Sequence, residues 1–421
     1  MQPTAQRILD ALDDPRALEA LYRQDPESFR DALGEAARAA QDPVVLRVWR
    51  ARLEYSEPAR GGERHRLWHA IVLGLCAGAL VRLPAVWLSE EWYYPRLAPS
   101  LVIVALAAYF WLESRGRRIL ILGLALASIV AIYTVFLPGD TVDSGPTQYP
   151  DSVLMALIHL PILFWALLGF VFTGDSWRAA EPRIRYIRYN GELLILASLV
   201  ALGGMVFSGL TVALFELVSP NSGEWYVRNI GVMGACAVPV AGTYLYDVVF
   251  RRRTGIASVL ARVFAPLFLV MTSIYLGVAF IGGQNPFLDR EFLITFNGLL
   301  LVVLGMTVFS IAERGEQTTV GRMDYVNVAL LMVTLVIDLI ALSAIVFRLT
   351  SYGFTPNRVV VLGANVVVMV HLAWTCRAYI GLLRGRSAAG DIRHAVTGYL
   401  PVYVGWAALV SFILPLVFRY S

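Results

Sequence analysis

The chain has 421 residues, of which 57% are hydrophobic and only 16% charged, with a mean hydropathy of +0.63. A soluble globular domain carries about 25% charged residues, so an ordinary soluble enzyme is excluded over most of the length. The net charge of +4 comes from Arg alone, because there is no Lys, and the Arg residues punctuate apolar runs instead of clustering on one polar domain, which excludes a nucleic-acid footprint.

Residues 1–57 are the polar part and are expected to form a soluble, cytoplasmic helical domain. Asp-Pro recurs at Asp14-Pro15, Asp25-Pro26 and Asp42-Pro43. Asp is a good N-cap and Pro suits the first helical position, so each pair predicts a helix start. The spacing predicts helices over about 4–12, 15–23, 26–40 and 43–55. Leu18, Leu21 and Tyr22, then Phe29, Leu33, Ala36 and Ala40, then Leu46, Trp49 and Leu53 follow a helical period. A domain this short has a small core, so a cytoplasmic protein partner or the membrane domain is expected to support it. Residues 58–66, which include PARGGE, read as a linker. No signal peptide is expected, because the first 60 residues are polar and helical.

Residues 67–421 read as an all-α transmembrane domain. Eleven spans are predicted, over about 67–88, 97–112, 119–138, 152–173, 192–218, 228–250, 257–282, 291–312, 324–347, 358–383 and 396–418. All but 97–112 have 20 residues or more, enough to cross roughly 30 Å of hydrocarbon. Alternate gaps between spans hold 18 Arg, and the other set holds 6: Arg96, Arg228, Arg290, Arg348, Arg358 and Arg419. The positive-inside rule then places the N-terminus in the cytoplasm and the C-terminus outside, in a bacterial inner membrane. Trp87, Trp92, Tyr93, Tyr94, Trp225 and Tyr226 are expected in an outer aromatic belt, with Trp68, Trp177, Tyr186 and Tyr189 in an inner one. Glu181–Tyr189 (EPRIRYIRY) mixes Arg with Ile and Tyr and is expected to lie along the inner surface.

No motif of a known chemistry is present. There is no Walker A loop, no GxGxxG opening a helix, no HExxH and no CxxC, and the five His are dispersed. No cofactor or metal is therefore expected, and no catalytic residue is assigned. Cys76, Cys236 and Cys376 fall inside apolar runs and read as small core residues. The loop Pro138–Asp151 carries Asp140, Asp143 and Asp151, but it lacks the EF-hand pattern and reads as a solvated acidic loop.

What remains are ionisable and polar residues within the spans, which are costly there and tend to face the bundle interior. Arg82, His159, Glu216 and Asp338 fall in the outer half, near Asn297. Arg82 and Glu216 both fall within about 10 Å of the outer edge, within reach of pairing. His69, Asp247, Arg262 and Arg377 lie toward the inner ends. Each residue has a structural reading, a hydrogen bond between packed helices, beside the functional one.

Met323–Leu383 reads as a helical hairpin closed by the turn Leu349–Asn357. On its first helix Asp324, Asn327, Thr334 and Asp338 fall within about 40° of one face at 100° per residue, with Leu331 interrupting the stripe. Asn365 and His371 on the second helix return to a depth near that of Asp338. They are about 120° apart around their own axis, so one of the two is expected to touch Asp338.

Three segments resemble the bacterial membrane proteins of domain-of-unknown-function family 4153: Tyr189–Val218, Leu260–Ile281 and Phe347–Leu372. The SYGFTPNR turn is the most distinctive part. The resemblance spans roughly residues 60–420 and implies fold and location but no activity. Transport or permeation of a small solute or ion is the expected function, motivated by the number of polar groups within the spans. The alternatives are a membrane-anchored scaffold or signalling protein that uses residues 1–57, and an intramembrane enzyme on a lipid-linked substrate with Arg82, His159 and Glu216 at its site. The bilayer is the expected surrounding, and the sequence sets no oligomeric state.

Overall fold

The computed structural model describes residues 5–39, 43–55, 60–114, 117–139, 149–218, 222–250, 252, 255–281, 290–314 and 320–420. Among them there is helix and no strand. The chain divides into two compact units, with the boundary between Trp68 and His69.

The first unit holds α1 (Ala5–Asp10), α2 (Pro15–Gln24), α3 (Pro26–Ala39) and α4 (Val44–Tyr55). Asp14 is extended, and its carboxylate accepts the backbone N–H groups of Arg16 at 2.9 Å and Ala17 at 3.2 Å. Asp25 accepts the Ser28 N–H at 3.1 Å and the Ser28 hydroxyl at 2.7 Å. Asp42 lies outside the described residues. Leu18, Leu21, Phe29, Leu33, Leu46 and Trp49 form the core, where the rings of Tyr22, Phe29 and Trp49 meet one another. Arg52 lies over Trp49 and donates to Glu19 at 2.8 Å, and Arg23 donates to the same carboxylate at 2.9 Å. The two guanidiniums, Arg52 foremost, hold the Glu19 carboxyl below the usual carboxylate range. Removing a cap orphans N–H groups in the first turn. Asp14→Ala and Asp25→Ala are each expected to destabilise their helix by about 1 kcal/mol. Amide hydrogen exchange in the full-length chain reads this as roughly fivefold weaker protection of α2 or α3. Unchanged exchange would remove the caps from the account.

The unit boundary falls inside α5 (Arg60–Arg82), and the second unit is built from the part of α5 that follows Trp68 together with α6 (Glu90–Ser114), α7 (Arg117–Phe136), α8 (Asp151–Thr173), α9 (Ala180–Val218), α10 (Ser222–Tyr226), α11 (Val232–Tyr244), α12 (Ile256–Ile281), α13 (Arg290–Arg314), α14 (Arg322–Tyr352), α15 (Pro356–Leu383), α16 (Ala389–Ala408) and α17 (Leu414–Val417). α10 and α11 are joined by a π-helical turn, Val227–Gly231, and continue into another, Leu245–Val249. A third π turn, Leu409–Ile413, joins α16 to α17. Among the described residues, nine helical segments are long and apolar enough to cross a membrane, while α7 and α13 contribute the shorter apolar stretches Ala125–Phe136 and Phe296–Ala312. Residues 60–66, expected in the linker, are helical and belong to α5.

α9 is a shared wall. Ile184 and Ile187 face a core made with α13, α14, α15 and α16. Tyr186, Tyr189 and Leu196 face a second core made with α5, α6, α8 and α11. EPRIRYIRY is thus not a surface-lying segment but the opening of one continuous 39-residue helix. Its Ile and Tyr residues are buried at helical spacing, and Arg183 and Arg188 reach carbonyls of neighbouring helices. Arg188 donates to the Ala312 carbonyl at 2.6 Å, Arg183 donates to the Thr397 carbonyl at 2.9 Å, and Glu181 pairs with Arg393. The starts of α9 and α16 and the end of α13 therefore share one end of the unit.

Tyr93, Tyr186 and Tyr189, expected in aromatic belts, are buried, whereas Trp68, Trp87 and Trp225 are exposed. Cys76, expected in the core, is also exposed. Small residues allow close approach of α5 to α11: a Cβ on Gly78 would lie 2.8 Å from the Met233 carbonyl oxygen. A π turn frees carbonyls from the regular ladder. In the third one the Ser411 carbonyl accepts the Tyr133 hydroxyl at 2.7 Å, which ties it to α7.

Candidate functional site

α14 packs against α12, α13 and α15. Its polar stripe faces these neighbours, and Asp324, Asn327, Thr334 and Asp338 are all buried. The stripe divides into two parts with different chemistry.

The part nearest the start of α14 is satisfied. Asp324 accepts the Gly321 N–H at 2.8 Å, capping its own helix, and pairs with Arg314 at 3.1 Å. Asn327 donates from Nδ2 to the Ser310 hydroxyl at 2.9 Å and to the Tyr379 hydroxyl at 3.2 Å. One amide thereby ties α14 to α13 and α15. Leu331, fully buried in the hydrophobic core, follows.

Beyond Leu331 the stripe is unsatisfied. Thr334 and Asp338 are 0% exposed, and neither the Thr334 hydroxyl nor either Asp338 carboxylate oxygen has a hydrogen-bond partner among the described residues. On the neighbouring face of α14, Ile337, Ala341 and Ala344 pack against Phe296. An uncompensated buried charge is costly enough that natural interiors pair it or neutralise it. Asp338 is therefore the group in this unit whose surroundings call most strongly for a further ligand.

The turn that brings α15 back is well defined. Gly353 takes φ +81°, Thr355 caps α15 by accepting the Arg358 N–H, and Pro356 occupies its first position. Arg358 donates to the Tyr352 and Gly353 carbonyls at 2.7 and 2.8 Å. The expected contact of Asp338 with Asn365 or His371 is not formed. Asn365 turns its Nδ2 back to the Val361 carbonyl of its own helix at 2.9 Å, a local bond that short amides find readily. His371 faces α16, where its ring stacks on Tyr399 at 4.6 Å and its Nδ1 meets the Tyr403 hydroxyl at 2.8 Å. The other ring nitrogen, Nε2, is buried without a partner among the described residues. The rotation of α15 against α14 was not legible from spacing.

Arg82, His159 and Glu216 each have separate surroundings. Arg82 donates to Asn229 Oδ1 at 3.0 Å and lies 3.6 Å from Glu90, which also binds Arg228 at 2.8 Å. The pairing with Glu216 gives way to this network, because the first π turn presents Arg228 and Asn229 toward the start of α6. Glu216 is exposed and lies beside Gly223. His159 bonds the Met155 carbonyl of its own helix at 2.8 Å. No catalytic constellation forms from the three, and among the described residues no group of three His, Cys, Asp or Glu is placed to hold a metal.

Two buried charges escaped sequence reasoning. Glu192 is 0% exposed, and its carboxylate accepts the Ala257 N–H at 3.2 Å in the first turn of α12, where the helix dipole favours an anion. It is the only charged residue between Arg188 and Glu216, and that isolation was the available signal. Arg96, 1% exposed, was read only as a loop charge. It donates to the Tyr149 hydroxyl at 2.6 Å and to the Leu137 and Pro138 carbonyls at 3.2 and 3.3 Å.

No family model, curated protein or solved structure matches the chain.

Proposed function

We propose that the chain is an eleven-span protein of the bacterial inner membrane that moves a small solute or ion, and that Asp338 is its proton-exchange site. The observation that carries this reading is the fully buried Asp338 carboxyl, which lacks any hydrogen-bond partner among the described residues. A proton fits better than a metal cation. Asp338 and Thr334, one turn apart, offer three side-chain oxygens, whereas Ca²⁺ takes six to eight oxygen ligands and Mg²⁺ an octahedron. The Asn327–Ser310–Tyr379 cluster lies about 10 Å along the axis from Thr334, with Leu331 between, so exchange toward that end requires α14 or a neighbour to shift. The 18-to-6 distribution of Arg supports a cytoplasmic N-terminus and an external C-terminus. The SYGFTPNR turn, with Arg358 closing it, supports membership of family 4153.

The test is Asp338→Asn in liposomes that carry a pH-sensitive dye. Asn matches the shape of the neutral carboxyl, so the variant is expected to insert and fold. Proton flux under an imposed pH gradient is expected to fall at least tenfold, a loss of about 1.4 kcal/mol or more in transition-state terms. Flux equal to that of the unmodified chain rejects the exchange role and leaves Asp338 a packing residue.

One observation favours the scaffold reading as well. Val44, Val45 and Val48 form an exposed apolar face on α4, with Val44 at 64% and Val48 at 61% exposure. Such a face suits a partner helix and would make residues 1–57 a cytoplasmic docking unit.

A further inference from the structure

A cleft of about 500 Å³ opens where α15 passes into α16. Along α15 its lining runs from Trp374 past Arg377 and Ile380 to Arg384, with Arg386 on the following loop and His394 on α16. Arg377 and Arg384 are seven residues apart and so lie within about 20° of one face of α15. The loop that carries Arg384 and Arg386 is fixed by its own backbone. Gly385 takes φ +65°, the Arg386 N–H bonds the Gly381 carbonyl at 2.8 Å, and the Gly385 N–H bonds the Leu382 carbonyl at 2.9 Å. This is the paired bonding of a Schellman cap. A Cβ on Gly381 would lie 2.2 Å from the Ser387 hydroxyl, so the loop is seated tightly on the helix.

Arg377, Arg384 and Arg386 form no ion pair among the described residues. The carboxylate that lines the cleft, Asp391, accepts the Ala388 N–H at 2.9 Å. Most other arginines at this end reach carbonyls or carboxylates, as Arg183, Arg188, Arg314 and Arg393 do. Trp374 lies about 15 Å along α15 from Arg384, is 39% exposed, and meets the His394 ring edge-on at 6.1 Å. The cleft is thus cationic at the helix end through Arg384 and Arg386 and carries Trp374 toward the middle of the span with Arg377 between them, an order that suits a phospholipid with its phosphate among the arginines and its glycerol on the ring.

We propose that this cleft binds the phosphate headgroup of an anionic phospholipid, held by Arg377, Arg384 and Arg386, with the glycerol and upper acyl chain along Trp374 and Ile380. The site is separate from Asp338, and the proposal does not depend on the exchange reading. The test is native mass spectrometry of the full-length protein from nanodiscs that contain phosphatidylglycerol or phosphatidylcholine with identical chains. The unmodified protein is expected to retain phosphatidylglycerol preferentially. Each Arg near an anionic headgroup contributes roughly fivefold in affinity, so Arg384→Gln combined with Arg386→Gln is expected to weaken phosphatidylglycerol retention about thirtyfold. Phosphatidylcholine retention and thermal unfolding should not change, because these exposed side chains form no hydrogen bond or ion pair among the described residues. Arg322→Gln, an exposed Arg at the same end, is the control and should have no effect. Equal retention of both lipids by the unmodified protein overturns the proposal, as does an equal loss with Arg322→Gln. Displacement of the lipid by inorganic phosphate, with binding that depends on the same two Arg residues, overturns the lipid assignment in favour of a soluble phosphate-bearing ligand.

Discussion

Arg96→Met is expected to lower the stability of the second unit by about 3 kcal/mol. The side chain comes from α6, yet its partners lie at the end of α7 and just before α8. Two of them, the Leu137 and Pro138 carbonyls, follow the last turn of α7, where helix carbonyls have no intrahelical donor. A hydrogen bond from a charged donor contributes about 1.5–3 kcal/mol, and a buried acceptor left unsatisfied costs a further share. The guanidinium also lies 4.9 Å from the Trp92 ring and 4.8 Å from the Tyr149 ring, a geometry worth about 0.5–2 kcal/mol when desolvated. Arg96→Lys should fall between, because an ammonium cannot span the same fork of acceptors. Tyr149→Phe should cost less than either, since the bonds of Arg96 to the Leu137 and Pro138 carbonyls, and to the Trp92 carbonyl of its own helix at 3.3 Å, survive it. Thermal unfolding of the full-length chain in detergent, with Arg96→Met, Arg96→Lys and Tyr149→Phe side by side, checks this order. An Arg96→Met midpoint within about one degree of the unmodified protein would show that the cradle contributes nothing net.

Gly363→Val should cost about 2–3 kcal/mol by overpacking. An ideal Cβ on Gly363 would sit 1.9 Å from the Trp406 ring and within 2.6 Å of two more of its atoms. The ring cannot retreat freely, because it packs beside Val360, Val410 and Leu414 at the junction of α15 with the third π turn. Its indole nitrogen has no hydrogen-bond partner among the described residues, so removing the ring sacrifices packing alone. Trp406→Leu in the Gly363→Val background should therefore recover stability, with a coupling of at least about 1 kcal/mol in the double-mutant cycle. Strict additivity of the two changes would mean that the ring is not what limits the volume at Gly363.

Local rules carried far in this chain because they depend on near neighbours. Asp14 and Asp25 cap their helices because an Asp before a helical Pro has its acceptor one turn from the orphan N–H groups. The stripe from Asp324 to Asp338 is buried on one face because the helical period places it there. The choice of partners did not carry, because it depends on how helices rotate against each other. His371 selects Tyr399 and Tyr403, Asn365 selects its own helix, and Arg82 selects Glu90 and Asn229. Hydropathy also treats charges at span boundaries as loop residues. Arg96 passed as such and Glu192, the first residue of a predicted span, was passed over, although each is buried and satisfies backbone groups of a neighbouring element. The π turns were illegible for a related reason, since an extra residue in a turn leaves the apolar pattern intact while redirecting Asn229 and Ser411.

The length of α9 bears on the bilayer itself. Past Glu192 it runs from Leu193 to Val218 with Glu216 as its one charge, about 39 Å of axis against roughly 30 Å of hydrocarbon. A free helix of that length would choose its own lean. This one is pinned at its first turns through Glu181, Arg183 and Arg188, so the rest of the bundle sets the angle. Whatever part of the surplus apolar length that angle does not take up as tilt is left as mismatch with the bilayer.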